Sequence, residues 1–157
     1  MHGSKAPKIM IAEESVDTRE VLGYWLEMNG CCVVEAATGI QAVELTLREC
    51  PDLILMSERL PQLGGLGATR RIRELRNDCA LPIVAMSTYP TKEAHASALA
   101  AGCAFLIAQP VDFDVLSSLL IRLLPNSTIE YSPPSDPHLD RKASRQDKSQ
   151  RPIQRVH

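Results

Sequence analysis

The chain has 157 residues, 45% of them apolar, and a formal net charge of −2, which suits one domain with a tail. That balance gives no argument for nucleic acid or a charged membrane surface as partner, and no apolar run approaches the ~20 residues a membrane-spanning helix needs. Residues 1–7 are too short and polar for a signal peptide. The five cysteines (Cys31, Cys32, Cys50, Cys79 and Cys103) have no framework spacing and no Cys-x-x-Cys pair. They read as reduced thiols of a cytoplasmic protein, mostly buried as small hydrophobes.

Lys8 to Ala12 is a short apolar run, the first predicted strand, stopped by Glu13-Glu14. From Val16 to Met28 the period becomes helical, with Val21, Leu22, Trp25 and Leu26 as the inner stripe. Asp17 and Glu20 have the spacing of a capping box, and Gly30 that of a left-handed stop. Cys31 to Ala36 is the second strand. Thr38 and Gln41 open a second helix, which runs to Glu49 and cannot continue through Pro51. Asp52 to Met56 is almost wholly apolar, as expected of a strand covered on both faces.

After a loop with Pro61, Gly64 and Gly65, a third helix presents Leu66, Thr69, Ile72 and Leu75 inward, with Arg70, Arg71, Arg73 and Arg76 as a solvated outer face. Leu81 to Met86 is the fourth strand, with Pro82 at its start, where no ladder donor is needed. Thr91 to Ala101 is an alanine-rich helix closed by Gly102; its His95 reads as solvent-exposed. Ala104 to Ala108 is the fifth strand. Asp112 caps a last helix with Leu116, Leu119, Leu120 and Leu123 inward. Strict alternation of five strands and five helices predicts an α/β fold, a doubly wound five-stranded parallel sheet. Residues 1–7 form a flexible N-terminus, 8–125 the domain, and 126–157 a disordered basic and polar tail in which the periodicity disappears.

In such sheets function gathers at the carboxyl ends of the strands. Those ends carry Glu13-Glu14, Ser57, Ser87 and Gln109. Here residues 8–124 resemble the response-regulator receiver (CheY-like) family of bacterial two-component systems. The resemblance is carried by Lys8–Glu14, by Asp52–Ser57 with Pro61 and Gly65-Leu66 in the following loop, by Leu81–Ser87, by Ala100-Ala101-Gly102 and by Gln109-Pro110-Val111-Asp112. It implies strand order 2-1-3-4-5 and a phosphorylation switch. It also implies an aspartate acceptor where this chain has Ser57, a phosphate-reading lysine where it has Gln109, switch positions at Ser87 and Leu106, and a cis peptide before Pro110.

A serine hydroxyl cannot form the acyl phosphate that a carboxylate forms, and neither a base to activate Ser57 nor a Gly-x-Ser-x-Gly elbow accompanies it. Sliding the register to use Glu58 fails, because alternation along a strand turns that side chain away from the cleft. Gln109 donates hydrogen bonds without charge. Losing aspartate and lysine together leaves the formal charge of the site near that of the family's resting site. Leu106 lacks the aromatic ring that the family often rotates. Glu13 and Glu14, one methylene longer than the usual aspartates and without a third carboxylate, leave at most a weak magnesium site, since magnesium tolerates little departure from octahedral geometry.

The expectation is a degenerate, stand-alone receiver (a pseudo-receiver) that binds a histidine kinase or another signalling protein and is not phosphorylated. The resemblance places its docking surface on the fourth helix, fifth strand and fifth helix. The alternatives are a working phosphorelay receiver with an altered acceptor and, more remotely, a small α/β enzyme built on Ser57 and the acids.

Overall fold

The computed structural model describes residues 5–76 and 80–125; the predicted tail 126–157 and Cys79 lie outside them. The chain alternates β1 (Lys8–Ala12), α1 (Val16–Met28), β2 (Cys32–Ala36), α2 (Gly39–Glu49), β3 (Leu53–Ser57), α3 (Gly65–Leu75), β4 (Ile83–Ser87), α4 (Lys92–Ala101), β5 (Phe105–Ala108) and α5 (Phe113–Leu123). The five strands form one sheet in the order β2-β1-β3-β4-β5. All four pairings are parallel, as the alternation predicts.

Side-chain alternation along the strands divides the core in two. Met10, Ile54, Met56, Ile83, Ala85 and Leu106 pack with Ala42, Val43, Ala68, Ile72 and Ala98 of α2, α3 and α4. Ile9, Ile11, Leu53, Leu55, Val84, Met86 and Ile107 pack with Leu22, Trp25, Leu26, Leu116 and Leu120 of α1 and α5. β3 and β4 are buried along their whole length, which explains their unbroken apolar runs. Each fully buried Leu or Ile contributes roughly 1.5–3 kcal/mol. Trp25 and Phe113 join α1 to α5 with ring centroids 5.1 Å apart.

The helix starts follow from local chemistry. Thr38, Thr91 and Asp112 accept hydrogen bonds from first-turn amides of α2, α4 and α5. The predicted capping box at Asp17 and Glu20 does not form. Ser15 is the N-cap and accepts from Thr18 N, because α1 starts right after the acidic pair. In α2 the Gln41 carboxamide reaches past Thr38 and accepts from Ala37 N. Gly30 and Gly102 take positive φ of 85° and 110° at the ends of α1 and α4.

Three further expectations change. Val21 is 57% exposed and Leu75 44% exposed, since each sits about one residue off the stripe facing the sheet. Val21 instead belongs to a second apolar stripe with Tyr24 and Met28, both exposed. Arg73 is not simply solvated: its Nε and Nη2 donate to Gly102 O at 3.1 and 2.8 Å and cap the carboxyl end of α4. Of the four described cysteines, Cys31 and Cys103 are buried, but Cys32 and Cys50 are exposed. Cys32 opens an edge strand and Cys50 ends α2 with φ 48°.

Candidate functional site

The carboxyl ends of β1, β3, β4 and β5 converge on a cleft of about 330 Å³, lined by Glu13, Glu14, Ser57, Ser87 and Gln109 among others. The register sets these positions. Ser57 pairs with Met86 and Ser87 with Ala108. The ladder continues one residue past the strands, with Glu13 N donating to Ala36 O, Glu58 N to Met86 O and Gln109 N to Ser87 O. The sequence-predicted cleft residues are therefore brought together. Leu106, 9% exposed, packs instead into the α2–α4 side of the core.

Ser57 is 3% exposed, and among the described residues nothing hydrogen-bonds to its hydroxyl. Ser87 is 2% exposed, and its Oγ accepts from Tyr89 N at 3.1 Å, so it shapes the loop after β4. Glu13 is 8% exposed. Its Oε1 accepts from Ser15 N at 3.2 Å and its Oε2 from Gln109 Nε2 at 3.4 Å. Glu14 is exposed. The peptide bond from Gln109 to Pro110 is cis, as the resemblance implies.

Two side chains that sequence reasoning missed hold this arrangement. Arg19 Nη1 donates to Glu13 O at 2.6 Å and to Glu14 O at 3.0 Å, while its Nε faces Glu35 at 3.5 Å. It staples the acidic turn to the edge strand, and its place in the first turns of a helix capped by Ser15 was the available signal. Arg59 lies 5.8 Å from the centre of the Tyr89 ring, a cation–π distance, and the pair bridges the loops after β3 and β4. Glu58 also borders the cleft. Its charge nonetheless reaches Cys103 on the α3–α4 side and helps to push that thiol up, behind burial as the main cause.

A divalent cation does not fit this donor set. Among the described residues no three acidic, histidine or cysteine side chains converge on one point, and both Glu13 oxygens already accept hydrogen bonds within the protein. Magnesium needs near-octahedral oxygen ligands at about 2.0–2.1 Å.

The tightness of the cleft wall rests on Gly65. A Cβ there would fall 1.9 Å from the Ser57 carbonyl oxygen. The amide of Gly65 donates to Glu58 O, so α3 begins hard against the end of β3.

Beside the cleft, between α1 and the β5–α5 loop, lies a second groove of about 500 Å³, lined mainly by Val21, Leu22, Pro110, Val111 and Phe113. Among the described residues no helix is long and apolar enough to cross a membrane.

A parallel sheet of this order with its cleft at the carboxyl ends of the strands is the doubly wound, flavodoxin-like architecture that receiver domains share. The chain belongs to the response regulator receiver domain family, whose pattern it matches over residues 9–121. It is 30% identical over 125 residues to an uncharacterized 14.6 kDa protein of Leptolyngbya boryana, covering 80% of this chain and 92% of that one. It is similar to the receiver domain of a sensor histidine kinase from Pseudomonas aeruginosa, solved with magnesium in its active-site cleft (32% identity, TM-score 0.71, 77% of this chain and 99% of that one). The fold also matches the receiver domain of the response regulator Ssk1, crystallised with the histidine phosphotransfer protein Ypd1 from Saccharomyces cerevisiae (23% identity, TM-score 0.71, 78% and 91% coverage). Two longer curated relatives are matched over only 31% and 34% of their length.

Proposed function

We propose that this receiver-family chain acts in two-component or phosphorelay signalling by binding a partner in the cytoplasm, without accepting phosphate. One observation carries the reading: the residue that ends β3 at the floor of the cleft is Ser57, buried and uncharged. Gln109 supports it, because its amide reaches Glu13 where a lysine would bring charge. Acetyl phosphate treatment, read on a phosphate-affinity gel and by intact mass, tests it, with beryllofluoride binding followed separately by amide NMR. The expected result is no magnesium-dependent adduct; a stoichiometric one would end the reading. Any phosphate that survives hydroxylamine would be an ester and would favour the altered-acceptor alternative.

The partner is a histidine kinase or a phosphotransfer protein, and α4, β5 and α5 form the first candidate face. Leu99 and Ile121 are exposed on α4 and α5, 60% and 55% respectively. A second reading of the face is favoured by the groove beside α1. Val21, Tyr24 and Met28 continue its apolar lining onto the surface, an arrangement suited to a partner helix.

A further inference from the structure

The groove beside α1 has two unlike ends. At one, Val21 and Leu22 from the second turn of α1 stand across from Pro110, Val111 and Phe113 of the β5–α5 connection. At the other, Asp17 and Thr18 of the first turn join Glu13, Thr88 and Gln109. Glu13, Thr88 and Gln109 also line the cleft, so the groove opens into it at its polar end. Its volume of about 500 Å³ lies within the roughly 300–1,000 Å³ of small-molecule sites, which combine apolar walls with a few polar groups.

The apolar end has an aromatic wall. Phe113 is partly buried and rests on Trp25, with ring centroids 5.1 Å apart. Trp25 is itself 5% exposed, so the ring beneath Phe113 is fixed in the core. Such a wall suits a ring on the ligand, since aromatic pairs gain from stacked or edge-on contact beyond their burial.

The polar end is one-sided in charge. It carries the carboxylates of Glu13 and Asp17, and no lysine, arginine or histidine lines the groove. Both Glu13 oxygens already accept hydrogen bonds within the protein, so Glu13 contributes charge rather than a free acceptor. Asp17 is exposed, and among the described residues nothing pairs with its carboxylate. Arg19, the single base of α1, is turned to Glu35 and to the carbonyls of Glu13 and Glu14. The Gln109 amide nitrogen is engaged by Glu13, which leaves its carbonyl oxygen as a further acceptor. This end therefore matches a group that is positive and only donates, as an ammonium does. A second copy of the chain does not match. Its α1 would bring the same Asp17, Glu20 and Glu27, setting like charges against each other.

We propose that the groove binds a small aromatic amine, with the ring against Phe113 between Val21 and Val111 and the ammonium at Asp17. The site requires no phosphate and stands whether or not the partner reading above holds. Once seated, the amine covers the wall that a partner helix would use.

The test uses phenylbutylamine, with phenylbutyrate as a similar body of opposite charge, on the full chain at neutral pH and low salt. Amide NMR locates binding, and the fluorescence of Trp25, the only tryptophan, follows it. The expected result is saturable binding of the amine with Kd on the order of 1 mM or tighter. Shifts should gather at the Val21, Val111 and Phe113 amides and the Gln109 side-chain amide. Phenylbutyrate should bind at least about fivefold more weakly, the scale of a partly exposed charge pair gained in one case and opposed in the other. Asp17→Asn should narrow that preference and Asp17→Lys should abolish it. Both variants alter an exposed residue, and unchanged spectra away from α1 confirm that they fold. No saturable shift with the amine would overturn the proposal. So would equal binding of the two probes, shifts gathered on another surface, or a preference that survives in Asp17→Lys. Partner capture plays no part in these readouts, so they fail or succeed separately from the proposed function.

Discussion

Gln109 and Glu13 are 96 residues apart in sequence, yet the Gln109 amide donates to the Glu13 carboxylate at 3.4 Å. The two residues stand one position beyond β5 and β1, two strands separated in the sheet by β3 and β4. Their bond spans the cleft mouth above Ser57 and Met86, and the same Gln109 nitrogen lies 3.9 Å from the Met86 sulfur. The site is thus closed by a neutral donor on a nearly buried acid.

Removing the donor should have a measurable cost. In Gln109→Leu, Glu13 Oε2 loses its described partner while the side chain stays 92% buried by its surroundings. The expected loss is about 1–2 kcal/mol, read as a lower urea midpoint with unchanged slope. Gln109→Lys should be at least as stable as the natural chain, because it supplies a charge opposite the same carboxylate. Equal midpoints for all three proteins would show that this long hydrogen bond contributes nothing.

Repair of the site is the second prediction. Ser57→Asp together with Gln109→Lys should restore some acetyl-phosphate-dependent phosphorylation in magnesium, and more than Ser57→Asp alone. The new carboxylate would supply the missing third ligand, and the lysine would offset its charge in the buried floor. Intact mass spectrometry reads the result. If the double variant gains nothing, the longer Glu13 and Glu14 side chains cannot be accommodated by repairing two positions.

Most of the fold and the cleft was legible in the sequence because both depend on local pattern. The unbroken apolar runs of β3 and β4 reported burial on two faces, and the residues ending four strands converge once the topology is known. What escaped depended on a partner from elsewhere in the chain. Arg73 looked like one of four solvated arginines; only the approach of α4 gives it the Gly102 carbonyl. Val21 has the spacing of a core residue, and only the docking angle of α1 turns it towards solvent. The exposure of Cys32 reflects β2 being a sheet edge, a fact of topology that the cysteine itself does not announce.

The glycines of the scaffold should separate sharply. Gly65→Ala places a methyl 1.9 Å from the Ser57 carbonyl, a backbone clash that must displace β3 or α3, and a loss of more than about 3 kcal/mol is expected. Gly23 lies within α1, and a Cβ there would meet Val33 and Ile11 at 3.8 and 3.9 Å, ordinary contact distances. Gly23→Ala should therefore stabilise, by up to about 1 kcal/mol from helix propensity. Thermal unfolding of the two variants side by side checks both signs, and a tolerated Gly65→Ala would show that the cleft wall is looser than its geometry indicates.

Partner docking can be assigned to one face by charge insertion. Leu99→Glu on α4 and Tyr24→Glu on α1 both alter residues that are at least 60% exposed, so neither should affect folding. If α4, β5 and α5 form the interface, Leu99→Glu should weaken capture of the partner kinase or phosphotransfer protein at least tenfold, with Tyr24→Glu near neutral. The reverse pattern would transfer docking to the groove beside α1. Binding unaffected by either variant would exclude both faces.

The last prediction concerns the thiols. Burial, with a smaller contribution from neighbouring Cys32, pushes the Cys31 thiol up from 9.0 to about 11. Between those values the unfolded chain has released this proton and the folded chain still holds it. Fewer protons are then bound in the unfolded state, so stability falls as pH rises. The contribution is fully present below pH 9 and is lost on the order of 2 kcal/mol by pH 11. Urea unfolding of the natural chain and of Cys31→Ala across this range isolates the effect from the tyrosines and lysines that titrate alongside. The natural chain should lose more stability than the variant, and parallel curves would dismiss the thiol as the cause. Alkylation at pH 8 supplies an independent readout: exposed Cys32 and Cys50 should react first, with Cys31 and Cys103 protected until the domain unfolds.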